Sequence, residues 1–300
     1  MRPGKRWPRW PIPASERLAV LALPEVEVVR RDLEKEIVGR RIKDVEVRPG
    51  SNSMKIIKRH GRRKEFQDLL LGARVDRIAR LGTWLVLELD SDRALVIDLG
   101  DTAHVLKTSA TEAIATYTHI VIGFTIGGQL RLIDPKLTGE VFVTPTAELT
   151  ALDGGLPAMI DPLGAPLAWQ HFSALLEQEK TTVKDLLMDE RFIRGLGDIY
   201  SDEILFVAGI RFDRQSHKLS SQDVRRLYRA LIEVLQDAVK ARGTTWGDHD
   251  FKDLQGDPGH YQLELRVFER QGEACRRCRT PIARAVTDSR ENYFCPQCQS

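Results

Sequence analysis

The sequence predicts an α+β protein: a leading helix and a β-sandwich, then a helical domain that ends in a four-cysteine β-hairpin. Between residues 42 and 148, apolar residues recur with a period near two in short β-branched segments. From residue 169 the apolar spacing becomes three and four residues, which is typical of helices. All four cysteines lie in the last 26 residues as two Cys-x2-Cys pairs. The three patterns together indicate two structural domains and a small terminal hairpin.

Composition agrees with an ordinary folded protein. The 300 residues suffice for two domains that each bury a core. With 42% hydrophobic and 29% charged residues, disordered and fibrous classes are excluded. No run of about 18 apolar residues predicts a membrane span. The formal net charge of +2 is weak support for a nucleic-acid partner, but residues 1–75 alone carry a local net charge of +9.

Residues 1–20 are basic and proline-rich and contain no apolar core of the length that a targeting peptide needs. We interpret them as a disordered basic extension, with a phosphate-attracting arm as the alternative.

The first helix is predicted to begin near Pro24, because proline loses no hydrogen bond in a first helical turn. Gly39 predicts its end. The apolar stripe of this helix consists of Val26, Val29, Leu33 and Ile37.

Seven short β-branched segments follow, broken by Gly, Asp or Pro, and predict antiparallel strands of a β-sandwich or flattened barrel over residues 21–150. They are Ile42–Val47, Ala73–Arg80, Trp84–Leu89, Ala94–Leu99, His119–Phe124, Gln129–Ile133 and Glu140–Thr144. The Gly- and Pro-rich residues 151–165 predict a linker.

Residues 166–262 predict a helical domain, and residues 263–300 the terminal hairpin. In the last predicted helix, Ser220 precedes Asp223 by three residues, which indicates a capping box. The candidate helices are Trp169–Glu179, Thr182–Met188, Ile199–Ala208 and Ser221–Lys240.

The cysteines have the spacing of a four-cysteine zinc ribbon, with sixteen residues between the pairs Cys275/Cys278 and Cys295/Cys298. Four thiolates complete a tetrahedron around one structural Zn²⁺, and a segment this short needs the metal to fold. Two disulfides or a redox pair are the alternatives. The rest of the chain has no cysteine, which indicates a reducing compartment such as the cytoplasm.

Two groups of basic residues could attract phosphate. Arginines crowd the predicted hairpin, and a basic run spans residues 55–64. For the hairpin, the alternative is ordinary surface charge. We interpret the basic run as solvated loop charge, with binding of the DNA backbone as the alternative.

Several segments in one order resemble the formamidopyrimidine-DNA glycosylase/endonuclease VIII family of base-excision repair proteins, over residues 20–299. They are Leu23-Pro-Glu-Val-Glu-Val-Val-Arg30, Lys184-Asp-Leu-Leu-Met-Asp189, Gly195-Leu-Gly-Asp-Ile-Tyr-Ser-Asp-Glu203, Gly243-Thr-Thr245, Gly259-His-Tyr-Gln262 and Val267-Phe-Glu-Arg-Gln-Gly272. The resemblance implies a helix–two-turn–helix in the helical domain, a zinc-finger hairpin, and double-stranded DNA bound in the cleft between two lobes, by a monomer at the bacterial nucleoid.

The family's chemistry does not carry over. Its glycosylase/lyase members use the α-amine of an N-terminal proline, followed by Glu, as nucleophile, and a lysine in an Arg-x-Gly-Lys turn. The matching residues are Leu21, Ala22 and Thr83.

Residues that contact DNA in the family are also altered. The methionine wedge is matched by Asp101, and the Asp-Pro-Arg-Arg-Phe-Gly loop reads Asp134-Pro-Lys136-Leu-Thr138-Gly. The asparagine of the helix–two-turn–helix is matched by Asp198, which follows Gly197. Without a wedge residue, the free-energy cost of unstacking and flipping a base is not compensated.

Other positions are retained. Lys184 and Arg290 match phosphate-contacting residues of the family, and Glu25 and Glu203 also match. The predicted DNA contacts are therefore Lys136, Lys184, Gly197, Asp198 and Arg290. No catalytic residue is assigned beyond Glu25 as a candidate.

Three hypotheses follow. The first is a protein that binds damaged or unusual DNA and has lost the glycosylase/lyase chemistry. The second is an active enzyme that uses Lys55 or Lys58 as the amine, or water activated by Glu25. The third is a zinc-stabilised protein- or RNA-binding module, which the acidic Asp101 and Asp198 favour.

Overall fold

The computed structural model describes residues 21–152, 160–164, 167–247, 250–287 and 290–300. Its α-helices are α1 Leu23–Ile37, α2 Ser51–Ile56, α3 Arg63–Leu70, α4 Trp169–Gln178, α5 Val183–Leu187, α6 Gly197–Ala208 and α7 Ser221–Lys240. Its strands are β1 Ile42–Val47, β2 Val75–Leu81, β3 Trp84–Leu89, β4 Arg93–Asp98, β5 His104–Thr108, β6 Thr118–Phe124, β7 Gln129–Ile133, β8 Glu140–Pro145, β9 Ala283–Thr287 and β10 Arg290–Phe294. Short 3₁₀ helices cover Thr146–Ala151, Ser216–Lys218 and Tyr261–Glu264.

Two four-stranded antiparallel sheets form the N-terminal lobe, residues 21–152. Their strand orders are β1-β6-β7-β5 and β2-β3-β4-β8. The inner faces share one apolar core, and every residue of β6 is buried. The predicted β-sandwich is confirmed.

Helix α1 lies between the sandwich and the rest of the chain. Its predicted stripe, from Val26 to Ile37, is buried in the sandwich core. Leu23, at its first residue, belongs instead to the core of the C-terminal lobe, residues 160–300. The start of α1 is therefore one place where the two cores meet.

The C-terminal lobe is helical and ends in a two-stranded hairpin of β9 and β10, as predicted. Helices α6 and α7 pack along each other around a core that includes Ile204, Leu227 and Leu231. The Ser220 side chain accepts the Asp223 amide hydrogen bond while the Asp223 carboxylate accepts from the Ser220 amide. The predicted capping box is thus present.

The interpretation of residues 55–64 as a loop is wrong at both ends. Lys55 lies in α2, and Arg63 and Lys64 lie in α3. Charged side chains dominate this stretch, but Ile56 and Phe66 are fully buried in the sandwich core and fix the two short helices. Strand β5 was also not expected from the sequence.

The predicted basic extension, residues 1–20, lies outside the described residues, and so does much of the predicted linker. At the end of that linker, Ile160 is buried in the C-terminal core and Asp161 contacts Arg80. None of the described helices is long and apolar enough to cross a bilayer.

Candidate functional site

A cavity of about 350 Å³ lies between the lobes, and we call it the interlobe cavity. Six lining residues come from the ends of sandwich strands and their loops, and two come from the segment between α5 and α6. The lining residues are Thr83, Trp84, Asp98, Gly100, Asp101, Thr138, Glu190 and Arg194. Three of them, Thr83, Asp101 and Thr138, are positions where the sequence departs from the resembled family, so the structure brings these departures together.

Leu21, which matches the family's proline nucleophile, lies against this cavity. Its backbone N–H donates a 2.8 Å hydrogen bond to the carbonyl of Gly100, a lining residue. Two residues later, the N–H of Leu23 donates to the carbonyl of Gly195 at 2.7 Å. The segment is thereby held by one lobe on each side, and the nitrogen of Leu21 is a peptide nitrogen rather than an amine.

The two lobes also meet beside Thr83. A Cβ atom added to Gly195 would lie 2.4 Å from Thr83 Cγ2 and 3.2 Å from the nitrogen of Leu23. Gly195 also has a φ of +74°, which favours glycine. Thr83 is buried, so the residue that replaces the family's lysine fills a contact between the lobes.

The loop after β7 forms another wall. The buried carboxylate of Asp134 accepts hydrogen bonds from the amides of Leu137 and Gly139, which fixes the loop. Thr138 Oγ1 accepts the Asp101 amide at 3.3 Å. The Lys136 side chain is exposed on this loop and has no hydrogen bond or ion pair to another described residue, so its predicted DNA contact is sterically open.

Lys184 lies below the surface of the C-terminal lobe. Its side chain is 2% exposed, and its ammonium lies 2.7 Å from Asp202, 2.8 Å from the Glu291 carbonyl and 3.6 Å from Asp198. Burial raises the pKa of Asp202 to about 7, although Lys184 acts in the opposite direction. The structure therefore places Lys184 in a buried ion pair, and its predicted phosphate contact stays a prediction.

Around Lys184, the structure gathers three more of the predicted contacts. Gly197 and Asp198 are exposed at the first turn of α6. Arg290, at the start of β10, donates to Asp185 of α5 at 2.8 Å. Lys136, in contrast, belongs to the other lobe, so the predicted contacts form two groups.

Glu25 does not line the interlobe cavity. Its carboxylate is 3% exposed, and Oε1 accepts hydrogen bonds from the Tyr200 hydroxyl at 2.5 Å and from the Thr244 amide at 2.6 Å. Burial raises the pKa of Glu25 to about 7 against the lowering effect of these bonds. Glu25 therefore joins α1 to the C-terminal lobe, a position that does not support activation of water in the cavity.

Glu203 serves a comparable structural role. Its fully buried carboxylate accepts the backbone N–H groups of Arg266, Val267 and Phe268 at 2.8–3.0 Å. The adjacent Asp202 accepts the Tyr293 amide at 3.0 Å. Two neighbouring acids of α6 thus bind the segment and the strand that precede the two cysteine pairs.

The four cysteines meet at the base of the hairpin. Their sulfur atoms all lie within 4.8 Å of one another, and Cys275 and Cys295 are buried. All four thiols are free, and the Sγ atoms of Cys278 and Cys295 are 3.4 Å apart, so the disulfide alternative is not realised. Four converging thiolates are the donor set of a closed, structural zinc site.

Sequence reasoning missed Trp84, Glu190 and Arg194 as lining residues. Arg194 and Glu190 approach from the other lobe, and their positions follow from lobe docking, which no local pattern encodes. Trp84 follows Thr83 directly and was assigned only to a strand. Lys55 and Lys58, the alternative amines, do not line the cavity, and Lys58 lies 3.4 Å from Glu140.

Three family models match this chain. The formamidopyrimidine-DNA glycosylase N-terminal domain matches residues 22–141, and the formamidopyrimidine-DNA glycosylase H2TH domain, the helix–two-turn–helix, matches residues 159–250. The zinc finger found in FPG and IleRS matches residues 272–300, which contain all four cysteines. The cysteine cluster is thus a structural zinc site.

Individual relatives match along nearly their whole length. The formamidopyrimidine-DNA glycosylase of Pelotomaculum thermopropionicum is 33% identical, over 92% of this chain and 98% of the relative. That of Heliobacterium modesticaldum is 35% identical, over 92% and 99%. A solved structure of Lactococcus lactis Fpg with DNA that contains an abasic site superposes with a TM-score of 0.80 at 27% identity, over 93% of this chain and 99% of that one.

Proposed function

Because this chain belongs to the formamidopyrimidine-DNA glycosylase family, we propose that it binds damaged or distorted double-stranded DNA between its lobes without the family's glycosylase and lyase chemistry. The protein acts in the cytoplasm, at the nucleoid, as a monomer. The solved relatives support the DNA part, since several of them hold abasic or Fapy-dG DNA.

One observation carries the loss of chemistry: Leu21 and Thr83, which match catalytic residues of the family, both lie at the interlobe cavity. Leu21 offers a bonded peptide N–H, and Thr83 offers a buried hydroxyl where an ammonium is expected. Iminium formation needs an amine nucleophile next to the sugar aldehyde. The eight described residues that line the cavity include no lysine.

The missing wedge indicates which DNA is bound. Asp101 supplies a carboxylate where the family places an apolar side chain, and its Oδ1 has no hydrogen-bond partner among the described residues. A duplex whose base is already lost or unpaired needs no compensation for unstacking. We therefore expect abasic or mismatched duplexes to bind more tightly than intact ones.

The test combines binding with trapping. Duplexes that are intact, contain an abasic site or contain an oxidised purine or pyrimidine are titrated at several salt concentrations, then incubated with the protein and borohydride. We expect salt-dependent binding, preference for the abasic duplex, and neither a covalent adduct nor strand scission. A glycosylase relative treated in parallel is the positive control for borohydride trapping. An adduct or scission contradicts the loss of chemistry, and a salt slope of zero contradicts DNA binding.

A further inference from the structure

The charged groups that line the interlobe cavity repel the negatively charged DNA backbone, with one exception. Asp98, Asp101 and Glu190 contribute carboxylates, and Arg194 is the only basic residue among the eight lining residues that the structure describes. Among the described lining residues, a backbone phosphate that enters this space meets three acidic groups and one guanidinium. The balance of attraction therefore depends on Arg194.

Arg194 reaches the cavity from the C-terminal lobe and lies against the turn between β2 and β3. A Cβ atom added to Gly82 would lie 2.7 Å from Arg194 Cδ, so the absence of a side chain at residue 82 admits the arginine. The next residue, Thr83, occupies the position where the resembled family has a lysine. A cation from one lobe thus lies beside the position where the other lobe has lost one.

Trp84 also lies near the guanidinium. The Cζ atom of Arg194 lies 5.7 Å from the centre of the Trp84 ring, within the range of a cation–π contact. Glu190 Oε2 lies 3.9 Å from Arg194 Nε, at ion-pair distance. The Arg194 side chain is 18% exposed, so part of it is accessible from the cavity.

We propose that Arg194 binds a phosphate group of the DNA backbone in the interlobe cavity and supplies from the C-terminal lobe the positive charge absent at Thr83. The proposal rests on the proposed DNA-binding function. A guanidinium is suited to this task because its planar N–H groups contact two phosphate oxygens at once.

The experiment measures the affinity for a duplex with an abasic-site analogue as salt is raised, for the wild type, Arg194→Met and Arg194→Lys. Methionine keeps much of the aliphatic stem and removes the charge. We expect Arg194→Met to weaken binding about tenfold or more and to lower the slope of log K against log salt by about 0.9, the value for one phosphate. Lysine should retain the slope and part of the affinity, because it lacks the planar fork.

Arg191→Met is the matched control. Arg191 lies three residues away in the same segment, and its side chain is 63% exposed and paired with Asp189. We expect its affinity to stay within about twofold of the wild type, since an exposed pair contributes little. Equal losses in the two methionine variants overturn the proposal, because they indicate a general effect of charge.

Glu190→Gln removes a negative charge from the site. The variant keeps a side-chain oxygen that can accept a hydrogen bond from the Gly195 N–H, which donates to Glu190 at 3.2 Å. Removal of this carboxylate should strengthen binding, and unchanged or weaker binding counts against the proposal. Where the wild type binds DNA and folded Arg194→Met binds equally well, the role of Arg194 is overturned and the proposed function stands. Where the wild type binds no duplex, both are overturned.

Discussion

The Tyr200 hydroxyl in α6 donates a 2.5 Å hydrogen bond to Oε1 of Glu25 in α1, and the bond joins the two lobes. The same hydroxyl lies 2.7 Å from Oγ1 of Thr244. All three groups are buried, and Glu25 Oε2 has no partner among the described residues. The position of α1 between the lobes therefore depends on a small buried polar network.

Removal of the hydroxyl tests this network. Tyr200→Phe should lower the free energy of unfolding by about 1–3 kcal/mol, because Glu25 and Thr244 lose a buried partner. Urea unfolding measures the loss. Tyr228→Phe is the control, since its hydroxyl donates to the Leu167 carbonyl within the C-terminal lobe. A loss in Tyr200→Phe no larger than in Tyr228→Phe contradicts a special role for the network.

The raised pKa of Glu25 predicts a dependence of stability on pH. The pKa is about 7 in the folded state and about 4.5 when the chain is unfolded. The unfolded state therefore loses its proton first, and the contribution of Glu25, complete below pH 4.5, is lost as pH rises through 7. The loss amounts to about 3 kcal/mol at most.

Glu25→Gln isolates this contribution, because the amide keeps an acceptor oxygen and cannot ionise. Relative to the variant, the wild type should become less stable between pH 5 and pH 8 in urea unfolding. Parallel stability curves for the two proteins across this interval would show that Glu25 does not titrate there. The comparison also removes the effect of Asp202, whose pKa is likewise raised to about 7 and which both proteins share.

Helices and strands with a strong apolar periodicity could be predicted from the sequence. Short helices in which charged residues outnumber apolar ones could not. Helix α1 and most strands follow from apolar spacing, but α2 and α3 each bury few residues in a basic run. The departures at Thr83 and Asp101 followed from motif order. The burial of Lys184 could not be predicted from the sequence, because its partners Asp202 and Glu291 lie 18 and 107 residues away in the chain. Contacts of this kind exist only once the lobes and the hairpin have packed.

Asp198 is expected to oppose DNA binding. It is exposed at the first turn of α6 and lies 3.6 Å from the Lys184 ammonium. Asp198→Asn removes this negative charge and should strengthen duplex binding about threefold at low salt, with the difference shrinking as salt rises. The same change should cost about 0.3–1 kcal/mol of stability, because an acidic residue favours a helix N-terminus.

Fluorescence anisotropy with a labelled duplex measures the affinity of Asp198→Asn. The control is Glu233→Gln, which removes one negative charge from an exposed position of α7. Equal gains in the two variants would show that net charge alone is responsible. Weaker binding by Asp198→Asn would assign Asp198 a direct role in DNA contact.

Loss of one thiolate should release the zinc. Cys295 is buried in the small core that also contains Val267, Ile282 and Tyr293. In Cys295→Ser we expect metal content to fall from about one zinc per chain toward zero and thermal stability to drop, because this hairpin depends on the metal. Gln297→Ala, an exposed change within the same turn, is the control. Full zinc content in Cys295→Ser would contradict four-cysteine ligation.

Gly195 and Gly197 offer a matched test of the contact between the lobes. Both have a positive φ, +74° and +65°, so alanine at either position carries a similar backbone strain of about 1–2 kcal/mol. Only at Gly195 does an added Cβ meet another atom, Thr83 Cγ2 at 2.4 Å, whereas nothing lies within 4 Å at Gly197. Gly195→Ala should therefore be clearly less stable than Gly197→Ala in urea unfolding.

The second step of this test assigns the excess cost to Thr83. Thr83→Ser removes the Cγ2 methyl group and keeps the hydroxyl, so Gly195→Ala with Thr83→Ser should recover part of the lost stability, while Thr83→Ser alone should cost about 1 kcal/mol. Equal costs for the two glycine variants, or no recovery in the double variant, would show that the lobes do not meet at this contact. Recovery would establish that the residue replacing the family's lysine now serves to dock one lobe against the other.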